Sequence, residues 1–126
     1  MTQDSQIVPK KLQPCPDRPN CISSQATKQS QWIEPLPHRS ASDIEALGTL
    51  LEAMNGSRIV TLTETYIHAE FRSRIFRFID DLELLLDEDQ GVIQVRSASR
   101  SGYSDLGANR KRVEALRRLY LGPRTQ

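Results

Sequence analysis

The residues best suited to bind a ligand are concentrated in one stretch, 96–110. This stretch holds three arginines, four serines and a tyrosine, and it connects a predicted strand to the N-terminus of a predicted helix. Arginine forks, hydroxyl groups and the unpaired N–H groups of a helix N-terminus all donate hydrogen bonds to anions. The candidate residues for binding a small anionic ligand are Arg96, Ser99, Arg100, Tyr103, Asp105 and Arg110. The alternative is a structural loop whose arginines hold the N-terminal arm to the sheet.

A second candidate for chemistry is the pair Cys15 and Cys21, six positions apart in a segment with three prolines. Two thiols are too few for a four-ligand zinc site, and the spacing of His38 and His68 matches no zinc pattern. We therefore predict no metal and no cofactor. Two alternatives remain, free thiols and a short-loop disulfide or redox pair. With the compartment unknown, free thiols are the favoured interpretation.

Two further groups of polar residues have a conceivable catalytic or metal-binding role. His68, Glu70 and Arg72 would share one face of a strand, where a base could be oriented by a carboxylate. The same alternation is typical of a solvated strand face, and we favour that interpretation. The acidic residues Asp80, Asp81, Asp87, Glu88 and Asp89 match no calcium-binding loop, so we favour turn and solvated-edge roles for them. Asp80 and Asp81 predict a polar break between strands.

Two helices are predicted from apolar residues that recur at helical spacing, over 43–54 and 105–121. Ser42 followed by Glu45 matches a capping box at the start of the first helix. A side chain at 104 or 105 can cap the second helix.

Four strands are predicted, over 58–63, 66–72, 82–87 and 92–97. A turn or bulge is expected over 73–78, where the alternation changes phase. The last two strands form the clearest hairpin, because one register places their four apolar side chains on a single face. That register pairs Leu84 with Val95, Leu86 with Ile93 and Glu83 with Arg96.

The order of these elements predicts an α+β fold. We expect an antiparallel sheet of four or five strands with two helices packed on one face, plus an irregular N-terminal arm. The expected organisation is a flexible segment 1–12, a single α+β domain over 13–122 and a tail over 123–126.

Composition excludes several classes of protein. The 126 residues are 26% charged with a net charge of +1, which is ordinary for a globular domain and excludes wholesale disorder. The C-terminal residues 96–126 hold eight Lys and Arg against two Asp and Glu, but the near-neutral total charge and the small number of aromatic residues, seven, disfavour nucleic-acid binding. No apolar run is long enough for a membrane span, and the polar N-terminus has no secretory signal, so a cytoplasmic protein is expected.

Four segments, 15–24, 66–73, 78–83 and 95–110, together resemble the family called "domain of unknown function 1499". The resemblance extends over about 13–120, nearly the whole chain. It implies a family found in bacteria and photosynthetic eukaryotes, many of whose members look exported or membrane-attached, but it implies no reaction, ligand or catalytic residues. With the proline-rich spacing, it leads us to expect Cys15 and Cys21 close enough to form a bridge.

We therefore predict a non-catalytic binding or interaction module of unknown ligand. Its site lies where the loop 15–24 meets the loop 96–110 at one edge of the sheet. The alternatives are a thiol-dependent enzyme or redox protein that uses Cys15 and Cys21, and a nucleic-acid binder that uses the Arg-rich C-terminal helix.

Overall fold

The computed structural model describes residues 8–73 and 78–122 of the chain. Its elements are, in chain order, β1 (Cys21–Ser23), β2 (Leu36–Pro37), α1 (Asp43–Glu52), β3 (Ser57–Leu62), β4 (Tyr66–Arg72), β5 (Ile79–Asp87), β6 (Val92–Ser99) and α2 (Ala108–Leu121). One turn of 3-10 helix, Gln29–Gln31, separates β1 from β2. The predicted α+β class is confirmed. The expectations for residues 1–7, 74–77 and 123–126 concern parts of the chain outside the described residues.

All strands belong to one antiparallel sheet with the order β1-β6-β5-β4-β3, and β2 also pairs with β6. The predicted hairpin register is confirmed, with Leu84 opposite Val95 and Glu83 opposite Arg96. Because side chains alternate along a strand, this register sends two different sets of residues to the two faces of the sheet.

The predicted number of strands was too small, since the sheet has six strands among the described residues. The two additional strands, β1 and β2, lie in the segment predicted to be irregular. Strand β1 has three residues and β2 has two, which is too few to show the alternation of apolar and polar residues that predicts a strand. Both form because β6 offers unpaired backbone groups along the edge opposite β5.

The predicted polar break at Asp80 and Asp81 is also wrong, because both residues lie inside β5. Each carboxylate has a cationic partner that makes the strand position acceptable. Asp80 lies 2.9 Å from a guanidinium nitrogen of Arg112, and Asp81 accepts hydrogen bonds from Arg100 at 2.8 and 2.9 Å. Charged residues inside a strand are tolerated when a neighbouring element neutralises them.

One face of the sheet, here called the core face, carries Ile67, Leu84 and Val95. These side chains form a continuous buried cluster with Leu47 of α1 and Leu116 of α2. The opposite side, here called the outer face, is more polar. It also holds a small buried cluster of Leu12, Tyr66 and Leu85.

The start of α1 differs from the predicted capping box, because Ser42 makes no side-chain cap. The buried carboxylate of Asp43 takes that role. It accepts hydrogen bonds from the N–H groups of Arg39 and Ser40, at 2.5 and 3.0 Å, and lies 2.9 Å from Nδ1 of His38. Burial alone would raise the pKa of Asp43, but these hydrogen bonds lower it from 3.8 to about 2.

We expect Leu84→Ala to lower the free energy of unfolding by about 2–5 kcal/mol, because Leu84 is fully buried on the core face. The matched control is Leu119→Ala, at an exposed position of α2, where a change within about 0.5 kcal/mol is expected. Urea denaturation measures both values. Equal costs for the two variants would show that the core face has been misassigned.

We expect Asp43→Ala to lower the free energy of unfolding at neutral pH by about 2 kcal/mol, the equivalent of a pKa lowered from 3.8 to about 2. Because the folded-state pKa lies below the unfolded one, this stability is present above pH 3.8 and is lost as the pH falls toward 2. Urea denaturation of both proteins across that range measures it. A difference that does not change with pH would contradict the assignment.

Candidate functional site

The first wall of the candidate site is a loop closed by a disulfide between Cys15 and Cys21, whose Cα atoms lie 5.6 Å apart. The expectation that the two residues lie close enough to bridge is confirmed, and the interpretation as free thiols is wrong. Cys21 is the first residue of β1, where it pairs with Ala98 and is 2% exposed. The pairing of β1 with β6 therefore anchors one end of the loop in the sheet.

Gln31 holds the middle of this disulfide loop. Its side-chain amide donates hydrogen bonds to the carbonyl oxygens of Pro16 and Arg18, at 2.7 and 3.0 Å. Asp17 forms an ion pair with Lys28, whose side chain is more than half exposed. The loop thus has a defined backbone conformation although it contains no regular secondary structure.

The second wall is formed by residues 100–107, which connect β6 to α2. Asn20 ties this segment to the disulfide loop, since its side-chain amide donates to the carbonyl of Gly102 at 2.6 Å and its own carbonyl accepts the N–H of Ser99 at 2.9 Å. Asn20 is buried, and its Oδ1 has no hydrogen-bond partner. The two loops that were expected to meet at one edge of the sheet are therefore directly connected.

The fully buried Asn109 fastens the same junction to α2. Its side-chain amide nitrogen lies within hydrogen-bond distance of three acceptors, the Asn20 carbonyl at 3.2 Å, Ser99 Oγ at 3.0 Å and Asp105 Oδ2 at 2.7 Å. Its oxygen accepts a hydrogen bond from Ser97 Oγ at 2.6 Å. Sequence analysis missed Asn20 and Asn109, because nothing in their local pattern distinguishes a buried amide from an exposed one.

Asp105 occupies the N-terminus of α2, where an anion was expected to bind. Its carboxylate accepts hydrogen bonds from the N–H of Gly107 at 2.8 Å and of Asn109 at 3.1 Å. Burial alone would raise the pKa of Asp105, but the hydrogen bonds from Asn109 and Gly107 lower it. The helix begins at 108 rather than at the predicted 105. The Asp105 carboxylate already accepts N–H groups that the start of the helix would otherwise leave without a partner.

Between the two walls lies a cavity of about 440 Å³, here called the loop cavity. Three cationic side chains line it, Arg18, Lys28 and Arg110, together with the carboxylates of Asp17 and Asp105. Arg110 donates to the carbonyls of the residues at 30 and 32, at 3.2 and 3.1 Å. Lys28 is paired with Asp17, as described above, so two of the three cations already have partners.

Arg18 differs from the other two cations of the loop cavity. Its side chain is exposed, and within the described part of the chain it makes no hydrogen bond or ion pair. The two hydrogen bonds of Arg18 in this part of the chain are made by its backbone N–H and carbonyl groups. The cavity is thus lined by one guanidinium whose donors are available.

The six candidate residues are divided between the two sides of the sheet. Tyr103, Asp105 and Arg110 line the loop cavity, and Ser99 lies beneath it in contact with Asn109. Tyr103 is 69% exposed. The structure therefore brings together four of the six residues, three of them at the cavity itself.

Arg96 and Arg100 lie instead on the outer face. In β6, Arg96 has the opposite parity to Ser97 and Ser99, so its side chain leaves the sheet on the other side. Arg100 follows the end of β6 and reaches the same face through its carboxylate partners. Arg96 lies 3.8 Å from Glu83 and donates to the carbonyl of Pro14 at 3.3 Å. Arg100 donates to Asp81 and, at 2.5 Å, to Glu70.

His68 and Glu70, considered as a base with an orienting carboxylate, do not contact each other through a hydrogen bond. His68 Nε2 lies 2.7 Å from Asp81, whereas Glu70 is paired with Arg58 and Arg100. Hydrogen bonding from Arg100 lowers the pKa of Glu70, with a further contribution from Arg58. These groups neutralise one another across β3 to β6, and the face is partly buried rather than fully solvated.

Neither a metal centre nor a membrane span is found in the described ranges. Among residues 8–73 and 78–122, no group of three or more His, Cys, Asp or Glu residues is placed to hold a metal ion. Over the same ranges, no helix has both the length and the apolar character needed to cross a membrane.

The fold defines an α+β protein built on one antiparallel sheet, with a disulfide loop at the sheet edge. The chain belongs to the family described as "Protein of unknown function (DUF1499)", whose model matches residues 11–119. No curated protein matches the chain.

We expect Asp105→Ala to lower the free energy of unfolding by about 1–2 kcal/mol, because it removes the carboxylate that satisfies the first turn of α2. The lowered folded-state pKa means that this contribution is present above pH 3.8 and decreases as the pH falls below that value. The control is Asp89→Ala, at an exposed position of the turn between β5 and β6, where about 0.5 kcal/mol or less is expected. Denaturation midpoints at neutral and acidic pH test this, and a cost equal to that of the control would contradict the capping role.

Proposed function

We propose that this domain is a non-catalytic binding module that takes a small anionic ligand, such as a phosphate or a carboxylate, in the loop cavity. The observation that carries the proposal is the exposed guanidinium of Arg18, which lines the cavity without a partner among the described residues. As part of this proposal, both helices lie over the core face, and the loop cavity opens beside α2 at the edge of the sheet formed by β1.

The position of the charges supports binding at the disulfide loop rather than at the helix end. Asp105 already accepts the N–H groups at the start of α2, so an incoming anion would meet a carboxylate there. Arg18 lies on the opposite wall, and a guanidinium binds a carboxylate or phosphate through two parallel hydrogen bonds. The hydroxyl group of Tyr103 and the side chain of Ser104 supply further donors at the rim.

The thiol-dependent alternative has weaker support. A thiolate is the reactive form of cysteine, and both sulfur atoms are used in the disulfide. Cys21 is almost completely buried inside β1, so an external thiol would have to attack at Cys15. We assign the disulfide a structural part in the wall of the loop cavity.

The nucleic-acid alternative also has weaker support, because most arginines of α2 already serve the fold. Arg110 donates to backbone carbonyls, Arg112 is paired with Asp80, and Arg117 donates to the carbonyls at 34 and 35. Binding to a phosphate backbone needs several cations that are free to displace counterions.

The disulfide also bears on location. Disulfides persist in oxidising compartments and are rare in the reducing cytoplasm. We therefore favour an oxidising compartment over the cytoplasmic location that the polar N-terminus predicted.

We expect inorganic phosphate to raise the thermal unfolding midpoint in a saturable manner, because a ligand at 100 times its dissociation constant adds ~2.7 kcal/mol of apparent stability. Arg18→Gln should weaken binding about tenfold or more, the equivalent of ~1.4 kcal/mol. Isothermal titration calorimetry and thermal-shift titration with phosphate, and separately with malonate, measure the dissociation constants.

Two control variants distinguish local binding from general salt effects. Arg118→Gln removes an exposed cation at the far end of α2 and should leave the phosphate response unchanged. Arg100→Ala should lower the stability of the unliganded protein, because it leaves Asp81 and Glu70 without their shared partner, but should keep the phosphate response. If all four proteins respond alike, or linearly with salt, the stabilisation is nonspecific and the proposal is wrong.

A further inference from the structure

We infer that Asn55 is a site of spontaneous covalent modification, at which the side-chain amide is converted to a mixture of aspartate and isoaspartate in the folded protein. Asn55 and Gly56 lie in the turn between the end of α1 and the start of β3. None of the described residues that line the loop cavity belongs to this turn, so the anion site proposed there and this modification are independent.

The reaction is an intramolecular substitution whose only co-reactant is water. The backbone nitrogen of Gly56 attacks Cγ of Asn55, and the new N–C bond closes a succinimide ring. The amide nitrogen leaves as ammonia and takes the proton that the backbone nitrogen loses. Water then opens the ring at either of its carbonyl groups, which gives aspartate or isoaspartate with no change of oxidation state. Because both reacting groups belong to one chain, no entropy is lost in bringing two molecules together before the ring closes.

Both reacting groups are available in this turn. Asn55 is exposed, and within the described residues neither its side chain nor the N–H group of Gly56 makes a hydrogen bond. The attacking nitrogen belongs to a glycine, which has no side chain to hinder the approach of Cγ. In the described part of the chain, no existing partner therefore has to be displaced before the ring closes.

The two other asparagines of the chain are protected by burial. Asn109 is fully buried, and both ends of its side-chain amide are hydrogen-bonded. Asn20 is 3% exposed, and its amide nitrogen donates to the carbonyl of Gly102. Ring closure at either position would break buried hydrogen bonds, which is costly. The modification is therefore selective for Asn55.

The isoaspartate product does not fit this turn. Isoaspartate routes the main chain through the side-chain carbon, which adds a methylene group to the backbone before Gly56. The carbonyl of Gly56 accepts the N–H of Arg72 at 2.9 Å, and a Cβ atom on Gly56 would lie 2.7 Å from the carbonyl oxygen of Arg72. The backbone of the turn is thus packed closely against the end of β4, and a longer backbone disturbs this contact.

The aspartate product keeps the backbone unchanged and adds only a negative charge. The new carboxylate lies just after the C-terminus of α1, which has no basic residue in its last turn. The negative end of the helix dipole disfavours a carboxylate there. The two products therefore differ in kind, since aspartate changes the charge alone and isoaspartate also changes the main chain.

Peptide mapping of the folded, disulfide-bonded protein after incubation in mildly alkaline buffer tests this inference. Cleavage after lysine and arginine, carried out at mildly acidic pH to prevent new conversion, places the three asparagines in separate peptides, 12–28, 40–58 and 101–110. We expect Asn55 to be converted about tenfold faster or more than Asn20 and Asn109, because only the buried amides must first lose their hydrogen bonds. Similar rates at all three positions, or no conversion at Asn55, would overturn the inference.

Asn55→Gln is the matched variant for the site of reaction. It keeps the amide at an exposed position but lengthens the side chain, so that closure would need a larger ring. We expect peptide 40–58 of this variant to keep its mass, and an isoaspartyl methyltransferase, which labels isoaspartate, to methylate aged wild-type protein but not the aged variant. Equal methylation of both proteins would place the isoaspartate elsewhere and contradict the assignment to Asn55.

Asn55→Asp is the matched variant for the effect on the turn, because it carries the new charge on an unaltered backbone. The isoaspartate form is separated from aged wild-type protein by ion-exchange chromatography and identified by electron-transfer fragmentation. We expect its thermal unfolding midpoint to lie below that of Asn55→Asp, since only isoaspartate lengthens the backbone beside Arg72. Equal midpoints would show that the turn accommodates the longer backbone and would contradict this account of the isoaspartate product.

Discussion

The buried amide of Asn109 is the contact on which the arrangement of the loops depends. It joins the carbonyl of Asn20, the hydroxyl groups of Ser97 and Ser99 and the carboxylate of Asp105. These groups belong to the disulfide loop, to β6 and to the start of α2. An amide can do this because it both donates and accepts, and because a partly satisfied buried amide would cost ~1–3 kcal/mol. The position of the second wall of the loop cavity thus depends on a polar network.

Arginines of the basic C-terminal region donate hydrogen bonds to carbonyl groups of the irregular N-terminal segment. Prolines have no N–H group, and short irregular stretches leave carbonyl oxygens without backbone partners. Arginines supply the missing donors, with Arg117 bonded to the carbonyls of Glu34 and Pro35 and Arg110 to those of Ser30 and Trp32. Part of the positive charge in 96–126 therefore binds neutral carbonyl groups, whereas Arg100 and Arg112 pair with the carboxylates of β5.

How far the sequence predicts this molecule depends on whether a feature is local. The hairpin of β5 and β6 was predictable because four apolar side chains share a face in only one register. The strands β1 and β2 were not, because they form only where β6 is already present. For the site, residue types in 96–110 indicated a polar junction, but the parity of β6 sends Arg96 to the outer face, and Arg100 binds carboxylates on that face. The partners that place Asp80 and Asp81 inside β5 lie on other elements, so a local pattern could only predict a turn.

The conformation of Leu106 shows how the polar network determines the shape of the second wall of the loop cavity. Leu106 has a φ of 54° and is 88% exposed, so the turn receives neither a favourable backbone conformation nor burial of its side chain. A left-handed conformation costs about 1–2 kcal/mol for a residue other than glycine. The compensation comes from the neighbours, because Gly107 continues the left-handed turn without a penalty and its N–H group is held by Asp105. The turn therefore keeps its shape through hydrogen bonds to a carboxylate that Asn109 itself holds. The side chain of Leu106 has no packing role in the described part of the fold, and the backbone around it is positioned by the contacts that connect the disulfide loop to the start of α2.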